Sequence, residues 1–221
     1  MPRYDIVTFD CYGTLIDWET GISEAFRRAA SADGVELDRA AILREYAANE
    51  RVVEKEYRPY REVLAETATR VAHALGWRLA FERATFLADS LPSWPPFPDT
   101  NDALLTLRDA GMKLGILSNI DDDLLAGTRH HFAVGFDLIV TAQQVRSYKP
   151  GHAHFRAARE AIGNARWLHA AESNFHDIVP TNQLGIDNAW INRTHGAELA
   201  GGHPTFGEFA DLASFAAAMV A

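Results

Sequence analysis

The sequence predicts an α/β protein, in which a parallel sheet with crossover helices is interrupted after its first strand by an all-helical insertion. Three observations carry this. From about residue 100 onward, helical and strand patterns alternate, the signature of a parallel sheet. Between about residues 16 and 92 the pattern is helical, with no strand signal. Ahead of that block stands one short apolar run, Ile6-Val7-Thr8-Phe9, whose only available partner is the later sheet.

The run at Ile6 has no polar break, as a strand buried on both faces requires. It stops at a carboxylate, Asp10, with Gly13 three residues on. A helix over 19–32 places Ile22, Ala25, Phe26, Ala29 and Ala30 on one face, and Asp33-Gly34 ends it. Asp38 is the expected N-cap of a second helix carrying Ile42, Leu43, Tyr46 and Ala47. Pro59 breaks the pattern, 60–75 resumes it, and Gly76 closes it. Residues 81–87 make one more helix before the proline-rich break at 93–99. The alternating part then reads as helices at 101–110, 121–131, 151–162 and about 178–184. Strands are expected at 113–117, 136–141, 167–170 and 189–191. The expected domains are a core of 1–15 and 93–221 and a helical cap of 16–92, placed to act as a lid.

Composition narrows the function. The 221 residues are 48% hydrophobic and 23% charged, ordinary for a globular protein. A formal net charge of −9 and the lack of a basic stripe argue against nucleic acid as a partner. One cysteine excludes an internal disulfide and a Cys-based zinc site. The longest apolar runs are far short of a membrane span, so no membrane partner is expected. The first strand begins too early to leave room for a signal peptide, and the expected location is cytoplasmic.

Polar residues recur where the strands end. The first strand gives Asp10, with Thr14 in the following loop. Ser118-Asn119 follows Leu114-Gly115-Ile116-Leu117, Tyr148-Lys149-Pro150 lies between the next strand and its helix, and the fourth strand runs into Glu172-Ser173-Asn174 with Asp177 beyond. Open α/β sheets place their ligands at this edge. Two carboxylates, an ammonium, hydroxyls and carboxamides there suit nucleophilic catalysis.

Each residue also has a plainer role open to it. Lys149 alone could be a surface lysine. Ser118-Asn119 could cap the helix opening at Asp121, and Asp177 could cap the helix after it. His169 and His176 read as packing or surface groups, and His152 and His154 lack a third ligand. Cys11 reads as a small buried hydrophobe. Tyr60, Trp94 and Phe97 suit either a core or the apolar lining of a pocket.

The order and spacing of the strand-end residues resemble the haloacid dehalogenase superfamily, and specifically its (S)-2-haloacid dehalogenases. Asp10-Cys11-Tyr12-Gly13-Thr14 is similar to the first motif, Ser118-Asn119 to the second, Lys149-Pro150 to the third and Asp177 to the acid of the fourth. The resemblance implies a Rossmann-like core with a helical cap, and Asp10 as a nucleophile forming a covalent ester. It implies that Lys149 pairs with Asp10 and Asp177, and that Thr14, Asn174 and Asp177 place the hydrolytic water. It assigns substrate contacts to the backbone after Asp10 at Cys11 and Tyr12, to Ser118, to Asn119 at the halide, to Tyr60, and to a cap arginine. Arg44 fits that last role by position, with Arg51, Arg58 and Arg61 competing.

The family's phosphatases carry a second Asp two residues after the nucleophile, and this chain has Tyr12 there. An alkoxide leaving group needs a proton from a group titrating near working pH, and a phenol of pKa ~10 is poorly matched to the returning base role. A halide needs no proton. The implied reaction is therefore hydrolysis of short 2-haloacids, without metal or other cofactor, in a chain that forms a homodimer in many relatives. Two readings stand beside it: a Mg²⁺-dependent phosphatase acting on a small phosphate ester, and a non-catalytic binding protein of the same fold. Two departures from the dehalogenase pattern are Phe155, where a Tyr is usual, and Glu172, where a Ser is common.

Overall fold

The computed structural model describes residues 3–221. In chain order the first half forms β1 (Ile6–Phe9), then α1 (Trp18–Ser31), α2 (Arg39–Val53), α3 (Tyr60–Ala74) and α4 (Phe86–Ser90). Next come α5 (Thr100–Asp109), β2 (Lys113–Ser118), α6 (Asp122–Thr128), β3 (Leu138–Thr141), α7 (Ala142–Val145) and α8 (Ala153–Ile162). The chain ends with β4 (Trp167–Ala171), α9 (Val179–Gln183), β5 (Asp187–Ile191), β6 (Gly207–Phe209) and α10 (Leu212–Val220). No helix among the described residues is long and apolar enough to cross a membrane.

Contacts divide the chain into two units. One comprises the residues through Ile16, Pro96–Asn119 and His130–Ala221, and the other Asp17–Pro95 and Ile120–Arg129.

The first unit is an α/β layer structure. Its six-stranded sheet runs β3-β2-β1-β4-β5-β6, every pair parallel. β1 lies between β2 and β4, with Thr8 opposite Gly115 on one side and His169 on the other. The order reverses at β1, so its C-terminal end opens a crevice, and Asp10 is the residue at that point. Alternation along β1 divides the two faces. Ile6 packs with Leu117, Val140, Trp167 and, from α8, Phe155 and Ala158. Phe9 faces the other way, edge-on to Phe215 of α10 at 6.3 Å.

β6, α7 and α10 were not expected from sequence. β6 is a three-residue edge strand and α7 a single turn, both too short for a periodic signal. α10 did carry one: Leu212, Phe215, Ala216 and Met219 are its buried stripe, and Asp211 caps it by accepting the Ser214 N–H at 2.7 Å.

The second unit is helical. Asp17 and Asp38 cap α1 and α2, accepting N–H groups of Thr20 (3.1 Å) and Ala41 (2.9 Å). Phe26, Trp77 and Phe86 form an aromatic cluster with ring centres 5.1–6.4 Å apart. α3 begins after Pro59, which has no side-chain oxygen to cap it, and Asp121 does so from outside. The two Asp121 carboxylate oxygens accept the N–H groups of Tyr60 and Arg61, each at 2.9 Å. This contact ties residues 120–129 to the helical unit, whereas the sequence reading placed them with the core.

Candidate active site

The site is built at the C-terminal ends of β1, β2 and β4. The strand of β1 stops because Asp10 is followed by a tight turn: Cys11 accepts the N–H groups of Leu15 (2.8 Å) and Ile16 (2.9 Å). Gly13 in that turn has φ 100°, a conformation that side chains disfavour. The turn brings the Thr14 hydroxyl back to Asp10 Oδ2 at 3.2 Å, and Thr14 Oγ1 accepts the Glu172 N–H at 2.9 Å.

Lys149 completes the arrangement. Its ammonium donates to Asp10 Oδ1 (2.8 Å), Asp177 Oδ1 (2.6 Å) and the Leu117 carbonyl (2.9 Å), which accounts for all three of its protons. Lys149 and Asp177 are fully buried and Asp10 is 8% exposed. The Lys149 backbone is clamped as well. Its N–H donates to Asn119 Oδ1 at 2.7 Å, and its carbonyl accepts from Asn119 Nδ2 at 3.1 Å.

One ammonium thus serves two carboxylates, and their environments pull them apart. Burial raises the Asp10 carboxyl above its ordinary range and the Asp177 charge adds to that, with Lys149 opposing. Burial also penalises the Asp177 anion, but Lys149 and a hydrogen bond from His169 outweigh it and hold Asp177 low. Lys149 itself loses solvation, yet the two anions keep its pKa above the ordinary lysine value.

Ser118 ends β2 with its hydroxyl buried and without a hydrogen-bond partner among the described residues. A buried donor left open at this edge suits an anionic ligand. The Ser118 carbonyl accepts from His154 Nε2 at 3.1 Å. Asp177 Oδ2 is likewise buried and unpartnered.

Of the residues singled out from sequence, Asp10, Thr14, Lys149 and Asp177 form one hydrogen-bonded group, with Ser118 and Asn119 beside it. The Asn174 carboxamide is taken up elsewhere: it donates to the Gly202 carbonyl (2.8 Å) and accepts the Leu199 N–H (3.2 Å). A Cβ at Gly202 would lie 1.8 Å from Asn174 Oδ1, so that loop requires glycine. The Cys11 thiol is buried and burial pushes its pKa well up, which leaves the backbone of that residue, not its sulfur, for any role. Tyr12 is half-buried in the same turn.

In the helical unit, the Tyr60 hydroxyl donates to Glu50 Oε1 at 2.7 Å, as does that of Tyr46. Arg44 is exposed on α2, 3.4 Å from Glu45. Arg58 is in a close pair with Glu66 (2.5 Å), and Arg61 pairs with Asp123 at 2.6 Å. Among the described residues, no three or more His, Cys, Asp or Glu side chains gather in a group that could hold a metal ion.

Two site residues escaped the sequence reading. By sequence His169 reads as a packing or surface group, but it is fully buried and its Nε2 lies 3.0 Å from Asp177 Oδ1. A histidine inside a strand otherwise buried on both faces, eight residues before the motif acid, was the available signal. Arg193 follows β5. Its guanidinium donates to the Thr14 carbonyl (3.0 Å) and to both Asp99 oxygens (3.1 and 3.2 Å), stacked 3.9 Å over Phe97. No local pattern marked it. The two departures are also placed. Phe155 packs edge-on to His169 at 5.4 Å, and the Glu172 carboxylate accepts from the Thr194 hydroxyl at 3.2 Å.

The family model of the haloacid dehalogenase-like hydrolases matches residues 4–179. Haloacetate dehalogenase H-2 of Moraxella sp. (strain B) is 28% identical over 199 residues, covering 87% of this chain and 88% of that protein. An (S)-2-haloacid dehalogenase of Pseudomonas sp. (strain YL) is 27% identical over 194 residues, covering 85% and 82%. The crystal structure of a defluorinating L-2-haloacid dehalogenase superposes with a TM-score of 0.84 at 23% identity, covering 100% of both chains.

Proposed function

The chain belongs to the haloacid dehalogenase-like hydrolases, and from that premise we propose that it hydrolyses short 2-haloacids to 2-hydroxy acids through an ester on Asp10. One observation carries this reading. A buried Asp10 is held by Lys149 at 2.8 Å and by Thr14 at 3.2 Å, while the position two residues on is Tyr12 and not a second carboxylate.

The Asp10 carboxylate displaces halide from the carbon that bears it, with inversion, and the new bond is an ester C–O bond. Nucleophilic catalysis divides one difficult displacement into two easier steps. Lys149 keeps the nucleophile ionised against its burial and fixes its orientation. The open Ser118 hydroxyl and the backbone at Cys11 and Tyr12 hold the substrate carboxylate. Asn119 supports Lys149 through its clamp and stands by the departing halide. Water then attacks the carboxyl carbon of Asp10, with Asp177 Oδ2 as the buried acceptor for its proton. Thr14 adds to the polar surroundings of that water, whereas the Asn174 carboxamide holds the loop at Leu199 and Gly202. Arg44 supplies the cation for the substrate anion, and Tyr60 part of the apolar lining. The proposal extends to a homodimer and a cytoplasmic location, read by light scattering and cell fractionation.

Halide release from chloroacetate at neutral pH, with and without EDTA, tests the reading. EDTA-resistant release, with heavy oxygen from water entering Asp10 before product in a single turnover, is the expected result. Metal-dependent phosphate release from small esters, without halide release, would replace it with the phosphatase reading.

A further inference from the structure

Asp177 accepts two hydrogen bonds on one oxygen and none on the other. Oδ1 takes Lys149 at 2.6 Å and His169 at 3.0 Å, while Oδ2 is buried without a partner among the described residues. Behind His169 the chain of bonds continues into the sheet. His169 Nδ1 lies 2.8 Å from Thr8 Oγ1, and Thr8 Oγ1 lies 2.7 Å from Trp167 Nε1. Thr8, His169 and Asp177 have no measurable exposure, and Trp167 is buried.

The direction of the chain follows from its two ends. The ionised Asp177 can only accept, so His169 Nε2 carries the ring proton that faces it. An indole N–H can only donate, so Thr8 Oγ1 accepts from Trp167 and keeps its own proton to give to the bare Nδ1 of a neutral ring. The register of β1 against β4 builds this in, because Thr8 and His169 are direct cross-strand partners.

We infer that His169 is a positioning residue for the second half of the reaction: its Nε2–H dedicates Oδ1 of Asp177 and leaves Oδ2 as the proton acceptor in ester hydrolysis. The inference takes the reaction from the proposed function and its geometry from the hydrogen bonds alone. Water attacks Cγ of Asp10 and its proton passes to Asp177 Oδ2. The bond between Cγ and the substrate oxygen breaks, and the departing oxygen takes that proton from Asp177 as the 2-hydroxy acid forms. Asp10 is left as a carboxyl group, which loses its proton to solvent. Halide displacement needs no proton acceptor, so His169 bears on the second step and not on the first.

Two measurements on the full chain test this. In uniformly ¹⁵N-labelled protein, the His169 ring, assigned by its loss in His169→Gln, should show a protonated Nε2 and a bare Nδ1. In rapid mixing with chloroacetate, His169→Leu should keep a halide burst equal to the enzyme concentration. Its steady turnover should fall at least about tenfold as the Asp10 ester accumulates, and His169→Gln, whose amide can replace Nε2–H, should recover to within about threefold of wild type. If His169→Leu fails to fold, His169→Asn, too short to reach Asp177, takes its place. A protonated Nδ1 overturns the inference, as does an equal fall in burst and turnover or an unchanged turnover. A wild type that releases no halide overturns the proposed function instead, and the ring protonation still decides the inference.

Discussion

Lys149 Nζ lies 2.8 Å from Asp10 Oδ1, and the nucleophile's protonation depends on that contact. Burial and the Asp177 charge raise the Asp10 carboxyl, and Lys149 is the main force against them. Displacement needs the anion, so the acid limb of kcat/KM for halide release should lie above the ~3.9 of a free aspartate. Lys149→Ala removes the opposing charge and should move that limb higher still. It should also lower turnover per folded molecule by more than about tenfold at neutral pH. Lys149→Arg should not restore it, because a planar guanidinium does not fit a site in which one nitrogen meets three acceptors. An acid limb that does not move in Lys149→Ala would show that the ammonium does not govern Asp10.

Arg193 should act through Thr14. It donates to the Thr14 carbonyl and to Asp99, whose Oδ2 also accepts the Leu212 N–H at 2.7 Å, so one guanidinium joins the nucleophile's turn to the start of α10. A lysine cannot span these acceptors in one plane. Arg193→Lys should lower kcat by about tenfold with little change in KM, and cost about 1–3 kcal/mol of stability through the half-buried Asp99, left with the Leu212 N–H in place of the guanidinium. Steady-state kinetics with chloroacetate and urea unfolding measure the two separately. A rise in KM alone would assign Arg193 to substrate binding.

How far the sequence reached follows from what kind of signal each element left. The central strand, its acid and the four strand-end groups were legible because an unbroken apolar run ending in a charged residue is a local pattern, and the parallel sheet then brings such ends together. The helical insertion was legible from its period. His169 was not, because its partners Thr8 and Asp177 meet it only through strand register and the turn after β4, and a lone buried histidine has the same sequence signature whether it packs or donates. Asn174 was read as a water ligand from its motif position, but its partners Leu199 and Gly202 lie in an irregular loop with no period to announce it. By sequence Asp121 falls in the core, because it lies within the alternating helix and strand pattern that begins at about residue 100. Its hydrogen bonds with Tyr60 and Arg61 join residues 61 and 60 positions away in sequence, beyond any local reading.

Among the arginines of the helical unit, Arg58 and Arg61 each hold a carboxylate at 2.6 Å or less, whereas Arg44 makes one 3.4 Å contact and its side chain is 67% exposed. An exposed pair of this kind contributes little to stability. Arg44→Ala should therefore leave the unfolding midpoint nearly unchanged while lowering kcat/KM on chloroacetate by more than about tenfold, or ~1.4 kcal/mol. If Arg44→Ala is silent and Arg51→Ala is not, the substrate cation is Arg51. If neither matters, the proposed recognition of a small acid by a cap arginine fails.

His154 should make the protein sensitive to acid well above the carboxylate range. Burial pushes its pKa down to about 3, and the Lys149 charge adds to this, while the Ser118 carbonyl opposes it. In the unfolded chain the same ring titrates near ~6.5. The folded value lies below the unfolded one, so below about pH 6.5 the unfolded state binds a proton that the folded state refuses. Stability from this group is fully present above that pH and is lost as pH falls, by up to about 1.4 kcal/mol per unit. His154→Gln keeps an amide donor for Ser118 and cannot titrate. The stability advantage of wild type over His154→Gln, measured by urea unfolding, should therefore shrink or reverse between about pH 7.5 and about pH 5. Asp177 does not disturb the comparison: its folded pKa is depressed, so its contribution is lost only below the ~3.9 of an unfolded aspartate. Asp10, raised in the folded state, is present in both proteins and cancels to first order. Parallel stability curves for the two proteins would mean that His154 is protonated, or solvated, in the folded state.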